Sequence, residues 1–393
     1  MTVAENAIHA VPRFSEAWTR RIQAFDASVT EVHAVSSMDD QGQPPHDSDP
    51  HGILVAGMAA AAKAGWLAAG PDPGDITARK RRIDGDATAA AESILREFAE
   101  RLIIVAGEGP GEQMPGAFLG QELGLAQESS QTWSGVFDYV DGTTLTALGL
   151  PGALSLGGLG VGLRGVPDLQ AYAVLAPVSI ADQLDISTPP EDHALELVEA
   201  IAAECGGHRL SDLRVVTHSA DTGSFHHTLI RRLADGGVGE VVVPDPVIIE
   251  PPYVLARAGL VEPRVDTMIG VFGFPELAFA CLVLELIAPQ FTFVFRPASL
   301  SGLRASSPTL APLFDFEDGE IEQLADVGLE PHTRFFGSDL VPAGSGRAAA
   351  MFSVTGSPLL NLAPPTRCDG TVSIDGLLVE RGRMTRLRVV SRQ

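Results

Sequence analysis

The sequence predicts a layered α/β protein, of either the α+β or the αβα type. Two observations support this: helix-like and strand-like segments alternate from about residue 52 onward, and no segment is repeated. In some segments apolar side chains recur at helical spacing, whereas others are short β-branched runs of the kind that form buried strands. This alternation is typical of helices packed on a sheet, in one continuous unit or in two tightly joined lobes.

The first half of the chain is predicted to contain helices, loops and one strand. Helices and strands are assigned from the spacing of apolar residues, and loops from proline, glycine and polar residues. In chain order the predicted elements are a short helical stripe (Phe14, Trp18, Ile22 and Phe25), a linker at 36–51, a helix at 52–69, a loop at 71–82, a helix at 87–101 and a strand at 102–106.

The second half is predicted to be richer in strands. The same criteria place its long apolar helix directly after a strand. In chain order the predicted elements are glycine-punctuated strands within 151–180, helices at 191–204 and 226–235, a strand at 239–245, a strand at 264–272, a helix from Glu276 to Ile287 and short β segments from about residue 350.

Composition limits the possible partners. The chain has 393 residues and a net charge of −23, so it would repel nucleic acid and anionic membranes unless a local patch reversed the field. Its 3 cysteines are widely separated, which argues against a disulfide framework or a cysteine zinc site and fits a reducing compartment. No signal-peptide pattern and no uninterrupted membrane span are evident, so we expect a cytoplasmic protein.

Five carboxylates stand at the ends of predicted elements, where α/β proteins bind ligands. They are Asp84, just before a helix; Glu108, just after a strand; Asp138 and Asp141, after the apolar run GVF; and Glu276, at the start of a helix. If these ends converge, the like charges raise one another's pKa and cannot all ionise unpaired. Divalent cations that prefer oxygen ligands resolve this conflict, so the sequence predicts a Mg²⁺ or Mn²⁺ site.

The segment FDYVDGTTLTALG, residues 137–149, adds groups that could hold a phosphate. Gly142 allows a ligand to approach the backbone, and the amides of Gly142 to Thr144 can form a small anion-binding nest. Thr143 places a hydroxyl beside the metals. Metals that bridge a phosphate and activate a water catalyse phosphoryl transfer, so we predict catalytic roles for Thr143 and Asp138. In isolation DxxDGT is more often a turn or a helix cap; its occurrence in order with GEG and FPE favours the site.

Two other motifs suggest different chemistry. Residues 160–165, GVGLRG, match the dinucleotide fingerprint, but a turn and a strand are predicted after them where the fingerprint requires a helix. His218, His226 and His227 raise the possibility of a serine hydrolase or a zinc enzyme, yet the chain has no GxSxG and no HExxH. We therefore interpret these histidines as surface or substrate-pocket residues.

A series of motifs resembles the class II fructose-1,6-bisphosphatases, within the inositol monophosphatase-like superfamily of metal-dependent phosphatases. The resemblance is collinear from about Gly52 to Arg392 and leaves most of the first fifty residues outside. The motifs are IDGDATAAA, IIVAGEGPGEQMPGAFLGQELG, FDYVDGTTLTALG, PDPV, GVFGFPE and MFSVTG.

The resemblance implies an αβαβα sandwich of the sugar phosphatase and inositol monophosphatase type. It matches the five carboxylates to the family's metal ligands and Thr143 to its catalytic threonine, and it places the Val140 carbonyl near a metal. It also implies a homodimer or homotetramer. The substrate-binding residues that it suggests are Gly142, Thr144, His226, Asp245 and Gly273.

The chain departs from the family pattern chiefly on the substrate side. Near the metals, Tyr139 replaces a proline and Asp141 stands where class II enzymes often have glutamate, and neither change removes a ligand. The family's Asp-Gly-Asp becomes Asp245-Pro246-Val247, and its Lys-Pro-Arg-His segment aligns with Gly223-Ser224-Phe225-His226. The family's Tyr and Lys align with Gln170 and Tyr172. A bisphosphate needs cations for the phosphate that is not cleaved, so their loss favours a substrate with one phosphate.

We therefore expect a metal-dependent phosphomonoesterase acting on a sugar-, cyclitol- or nucleoside-type phosphate rather than on fructose 1,6-bisphosphate. Tyr139 and Phe225 could stack on a ring or simply pack. The alternatives are an ordinary fructose-1,6-bisphosphatase and a binding protein without catalysis. The expected organisation is an N-terminal extension and linker at 1–51 followed by one phosphatase domain at 52–393, whose two lobes meet near 185–210.

Overall fold

A computed structural model describes residues 12–36, 50–70, 75–109, 115–125, 131–186, 190–218, 224–304 and 311–393. Its strands are β1 (Val29–Ser36), β2 (Arg101–Gly107), β3 (Glu122–Leu123), β4 (Thr132–Asp141), β5 (Leu154–Gly160), β6 (Gln170–Pro177), β7 (Arg214–Val216), β8 (Glu240–Val242), β9 (Thr267–Gly273), β10 (Phe291–Ala298), β11 (Phe335–Phe336), β12 (Gly346–Ser353), β13 (Thr366–Cys368), β14 (Thr371–Glu380) and β15 (Arg383–Arg392).

The helices occupy the intervals between these strands. They are α1 (Pro12–Gln23), α2 (Pro50–Ala69), α3 (Ile76–Leu95), α4 (Thr143–Leu148), α5 (Val178–Ala181), α6 (Pro190–Glu204), α7 (Ser224–Asp235), α8 (Glu250–Arg257), α9 (Phe274–Ile287), α10 (Leu300–Arg304), α11 (Asp318–Asp326) and α12 (Gly337–Leu340).

The strands form two sheets. The larger has the order β1-β15-β14-β12-β5-β4-β2-β3, with β13 beside β14, and the smaller has the order β11-β10-β6-β9-β7-β8. In the larger sheet β2 and β4 run parallel, and in the smaller sheet β7 runs parallel to both β8 and β9. The carboxyl ends of β2 and β4 therefore meet at one edge of the larger sheet, and this is where the candidate site forms.

Helix α9 lies between the two sheets and contacts strands of both, while α2 covers the outer face of the larger sheet. Two neighbouring glycines in β5 show this directly: a Cβ at Gly157 would meet Met58 of α2, whereas a Cβ at Gly158 would meet Leu282 of α9. Successive strand residues point to opposite faces, so α2 and α9 lie on opposite sides of the sheet. The missing side chains allow both helices to approach closely.

The smaller sheet separates two hydrophobic cores. Along β6, Ala171, Ala173 and Leu175 belong to the main core with α9, and Tyr172 and Val174 belong to a second core with α6 and α7. This period of two is what a strand buried on both faces requires. The layers thus run helix, sheet, helix, sheet, helix, which confirms the predicted αβαβα sandwich.

Helix α2 is apolar around its whole circumference. By length and composition alone it could cross a membrane, but 67% of its apolar stretch is buried inside the protein. It packs against α3, α1 and the larger sheet. A helix that is hydrophobic all round is typical of a buried position, and here the sheet and the neighbouring helices supply the cover.

Most of the predicted elements are present, with two substantial corrections. The predicted loop at 71–82 is wrong beyond Asp75, because α3 already begins at Ile76: the Asp75 carboxylate accepts a hydrogen bond from the Thr77 amide and caps it. The helix predicted at 87–101 ends at Leu95, and β2 begins six residues later. Asp84 therefore lies inside a helix rather than before one.

The C-terminal tail also differs from its prediction. Strands β14 and β15 each have 10 residues and pair in one long antiparallel hairpin, where short segments were expected. At the other end of the chain, β1 pairs antiparallel with β15, with Ala34 opposite Leu387. Residues 37–49, which make up most of the predicted linker, and the side chain of Phe14 lie outside the described residues. The division at residue 51 and the lobe boundary near 185–210 stay predictions.

Candidate active site

The five predicted metal-binding carboxylates line one cavity of about 500 Å³. We call it the acidic cavity. Strand ends and helix starts deliver its walls: β2 leads to Glu108, β4 ends in Asp138 to Asp141, and α9 begins next to Glu276. Asp84 enters from α3, one turn after Lys80. The element ends that carry four of these acids thus converge in space, and Asp84 joins them from within α3.

Three of the carboxylates are close enough to share one cation. Glu108, Asp138 and Glu276 each offer an oxygen atom, and these oxygens all lie within 4.8 Å of one another. Ligands at about 2.1 Å on opposite sides of a Mg²⁺ ion are about 4.2 Å apart, so the spacing suits a small divalent cation.

The cluster is electrostatically strained without a cation. The charge of Asp138 raises the pKa of Glu108 well above its usual value. Burial, followed by the charge of Glu276, does the same to the pKa of Asp138. Burial and the charge of Asp138 raise the pKa of Asp141. Each carboxyl group is thus held back from ionising by its neighbours, as the sequence argument anticipated.

Several carboxylate oxygens in the cluster also lack a hydrogen-bond donor. Asp138 Oδ2, Asp141 Oδ2 and Glu276 Oε2 are buried and accept no hydrogen bond from any residue that the structure describes. Buried polar atoms are normally satisfied, so orphaned acceptors call for a missing partner. Hard anionic oxygens are the ligands that Mg²⁺ and Mn²⁺ prefer, and the residues therefore fit a divalent metal site.

Thr143 lies at the start of α4 beside these acids. Its hydroxyl donates to Asp84 Oδ1 at 2.6 Å and is also 3.0 Å from the Val140 carbonyl oxygen. Burial raises the pKa of Asp84 to about 6, although the Thr143 hydrogen bond and the charge of Lys80 oppose this effect. The backbone amide of Val140 in turn donates to Asp138 Oδ1 at 3.0 Å. The loop therefore ties the hydroxyl to one carboxylate and orients a second.

Two glycines among the predicted site residues have clear structural reasons. Gly142 caps α4 with a φ of 87°, a left-handed conformation that non-glycine residues adopt at a cost. Gly273 precedes α9 in an ordinary extended conformation, but a Cβ there would lie 2.7 Å from the Glu276 carboxylate carbon. Gly142, Thr144 and Gly273 all line the acidic cavity.

The other two predicted substrate-binding residues are not among the described residues that line the cavity. His226 is 1% exposed, stacks on His218 at 4.8 Å between ring centroids, and accepts the Val271 amide at 3.4 Å. Burial lowers its pKa to about 2. His218, not His226, reaches the wall of the cavity, and Asp245 is exposed outside it. Gly223 and the side chain of Phe225 lie outside the described residues.

Further departures from the family pattern can be placed. Tyr139 is 3% exposed and stacks on Phe137 at 5.8 Å, which favours a packing role over stacking on a substrate. Gln170 lines the cavity, whereas Tyr172 is buried in the second core. After GVGLRG the described residues 166–169 contain no helix and lead directly into β6, so the dinucleotide interpretation has no structural support.

Four charged residues of the cavity were not predicted from the sequence: Lys80, Asp168, Glu250 and Glu320. Lys80 was hidden by the incorrect loop at 71–82. Glu250 opens α8 directly after the apolar run VII and before two prolines, so it follows the same element-end pattern as the predicted acids. It is 4% exposed.

Comparison with known proteins gives a consistent result. A family model described as bacterial fructose-1,6-bisphosphatase, glpX-encoded, matches residues 53–391. A D-fructose 1,6-bisphosphatase class 2/sedoheptulose 1,7-bisphosphatase of Thermosynechococcus vestitus is 22% identical over 322 residues, which cover 78% of this chain and 85% of the relative. The protein of the same name from Trichormus variabilis is 21% identical over 323 residues, with the same coverage.

A further relative is the fructose-1,6-bisphosphatase 1 class 2 of Escherichia coli. It is 24% identical over 212 residues, which cover 53% of this chain and 58% of the relative. Identities of this size indicate common descent together with considerable divergence.

Proposed function

The chain belongs to the glpX-encoded, class II family of bacterial fructose-1,6-bisphosphatases, and from this membership we propose that it hydrolyses a phosphomonoester of a sugar or sugar-like metabolite with Mg²⁺ or Mn²⁺. The observation that carries the proposal is the group of convergent carboxylates with orphaned oxygens in the acidic cavity. A cytoplasmic location and a homodimer or homotetramer remain part of the proposal.

In this proposal Asp84, Glu108, Asp138, Asp141 and Glu276 hold two or three metal ions. When bound, the metals supply positive charge that attracts the phosphate into an acidic protein and lowers the pKa of a bound water. The backbone at Gly142 and Thr144 lines the cavity wall and would donate to the phosphate oxygens. Gly273 leaves space for the Glu276 carboxylate.

Thr143 and Asp84 together provide a route for a proton. Because the Thr143 hydroxyl donates to Asp84 Oδ1, its lone pairs are available to accept a proton from a water in the cavity. A water held in this way would become a better nucleophile toward a phosphate bound in the cavity. Asp84 must be ionised to take up the proton that Thr143 passes on, so its burial sets the pH above which the pair works.

The charge of the cavity favours a substrate with a single phosphate. Among its described lining residues, eight carboxylates face two basic side chains, Lys80 and His218. The neighbouring segments 110–114 and 219–223 contain no lysine or arginine in the sequence. A second phosphate would need cationic donors of its own, and these residues do not offer them. A hydroxyl-bearing sugar or cyclitol suits carboxylate acceptors better.

A second candidate is hydrolysis of fructose 1,6-bisphosphate itself. Family membership and the names of the relatives favour it, since those proteins are named for fructose 1,6-bisphosphate and sedoheptulose 1,7-bisphosphate. Under this alternative, Lys80 or His218 would be the basic side chain that binds the second phosphate, among the described residues of the cavity.

Phosphate release from a substrate panel separates the candidates. The panel contains fructose 1,6-bisphosphate, hexose and ketose monophosphates, inositol monophosphates and nucleoside monophosphates, each with and without Mg²⁺ or Mn²⁺. We expect metal-dependent release from a monophosphate in preference to the bisphosphate, and no release by Asp138→Asn. Preferential release from the bisphosphate would establish the second candidate. Binding of a phosphate ester without release from any substrate would indicate a non-catalytic binding protein.

A further inference from the structure

Glu250 is a buried carboxylate that the proposed metal site does not yet explain. It is 4% exposed, lines the acidic cavity and begins α8. One oxygen of its carboxylate accepts a hydrogen bond from the backbone amide of Glu250 itself. The other oxygen, Oε2, is buried and accepts no hydrogen bond from a described residue. A buried acceptor of this kind costs about 1–3 kcal/mol unless a partner satisfies it.

The orientation of α8 brings Glu250 to the metal-binding acids. Helices α8 and α9 pack together, and Glu250 and Glu276 occupy their first turns. Burial and then the charge of Asp138 raise the pKa of Asp141, with a smaller contribution from Glu250. Burial and then the charges of Glu276 and Asp138 raise the pKa of Glu250. Glu250 thus lines the same cavity as the predicted metal-binding acids and interacts electrostatically with them.

No basic residue described along the cavity wall donates a hydrogen bond to Glu250 Oε2. Of the two basic lining residues, Lys80 acts on Asp84, and His218 stacks on His226. A buried charge without a partner either neutralises by taking up a proton or binds a cation. In a cavity whose other acids also have orphaned oxygens, one added cation satisfies several of them together.

We infer that Glu250 is a further ligand of the divalent-metal cluster, offering its orphaned Oε2 to a divalent cation in the acidic cavity. This inference rests on the proposed metal-dependent function. It extends the set of carboxylates from five to six, which raises the negative charge available to retain an additional cation or to bind the same cations more tightly.

The test is Mn²⁺ binding to metal-stripped protein, measured by calorimetry and by electron paramagnetic resonance of free Mn²⁺. Glu250→Gln keeps the size of the side chain and its capacity to hydrogen-bond the backbone but removes the charge. We expect it to weaken Mn²⁺ binding at one site by at least about tenfold, or to reduce the number of ions bound by one. Glu285→Gln is the control: this half-buried glutamate pairs with Arg381 and accepts a hydrogen bond from the Gly344 amide outside the cavity.

Thermal unfolding supplies a readout that is independent of catalysis. Removing an unpaired buried charge should raise the melting temperature of the metal-free protein, whereas the further rise on adding Mn²⁺ should be smaller than in the unaltered protein. A lower metal-free melting temperature with unchanged Mn²⁺ binding would show a purely structural role and overturn the inference.

Two more outcomes would also overturn it. Unchanged Mn²⁺ affinity and stoichiometry with a raised KM would show that Glu250 contacts the substrate instead. Unchanged Mn²⁺ affinity and stoichiometry with an unchanged KM would refute any role of Glu250 at the metals. The proposed function has a different point of failure: it is lost if Asp138→Asn binds Mn²⁺ like the unaltered protein and the unaltered protein releases no phosphate.

Discussion

Replacing Gly273 with alanine tests the candidate active site through a single methyl group. A Cβ at this position would lie 2.7 Å from the Glu276 carboxylate carbon, whereas ordinary van der Waals contact begins at 3.4 Å. The carboxylate must therefore move by about 0.7 Å at its carbon atom, and by more at the nearer oxygen. The backbone itself resists little, because a φ of −62° and a ψ of 142° are accessible to alanine.

The expected result is a folded protein with a damaged site. A misplacement of about 1 Å at a catalytic group costs about 10²-fold in rate, so kcat/KM for phosphate release should fall by about that factor. Mn²⁺ affinity, measured by calorimetry, should fall with it, while the melting temperature of the metal-free protein stays close to that of the unaltered protein. The melting temperature is preserved because the flexible Glu276 side chain, and not the backbone, moves to make room for the methyl group.

Gly319→Ala is the matched control. Gly319 lies in α11, and a Cβ there would have no heavy atom within 4 Å. Alanine in a helix is more stable than glycine by about 0.5–1 kcal/mol, so this variant should be slightly stabilised and fully active. If Gly273→Ala kept normal Mn²⁺ affinity and activity, Glu276 could not be a ligand in the position described. If Gly273→Ala failed to fold, the assumption that the side chain yields would be wrong.

Three further predictions follow from the same site. Thr143→Ala should lower kcat by about 10²- to 10⁴-fold with little change in KM, and Thr143→Ser should recover most of the activity. Steady-state kinetics measures both effects. A raised KM with an unchanged kcat would contradict a role of Thr143 in proton transfer. In metal-free protein, Asp84 holds a proton up to about pH 6, whereas the unfolded chain releases it near pH 3.8. The free energy of unfolding should therefore fall as pH rises from about 3.8 to about 6, and urea titrations can measure this. A rise in the free energy of unfolding over this range would contradict the raised pKa of Asp84. Gly142→Ala should cost about 1–2 kcal/mol of stability in the same titrations because φ is 87°, and no loss would mean that the turn can rearrange.

The elements that the sequence predicted well are those with strong local signals. The apolar run of α9 and the β-branched run of β2 identify themselves by composition and length, and the structure confirms both. The first turns of α3 were missed because their residues, ITARKRR, have little apolar periodicity. That part of the helix depends on the Asp75 cap and on packing against α2, and packing partners cannot be read from a local pattern.

The same distinction applies to the site. Four of the predicted acids lie at or next to element ends, which a local pattern can identify, whereas Asp84 lies within α3; the structure brings all five to one cavity. Glu250 was missed because an acid before two prolines is an ordinary helix start, and only the packing of α8 on α9 turns it toward the cluster. His226 and Asp245 came from the resemblance alone. In the structure His226 stacks on His218, and Asp245 lies at the surface.

The pairing of β1 with β15 has a consequence for how the protein is made. Thr30 of the first strand hydrogen-bonds Val390 across 360 residues of chain. At a synthesis rate of about 5–20 residues per second, β1 leaves the ribosome about 20–70 s before its partner exists. During this interval a strand with the apolar face Val29, Val32 and Ala34 has no neighbour to complete its hydrogen bonds, and the larger sheet lacks that edge. The nascent chain is therefore expected to need protection by a chaperone until its last strand emerges.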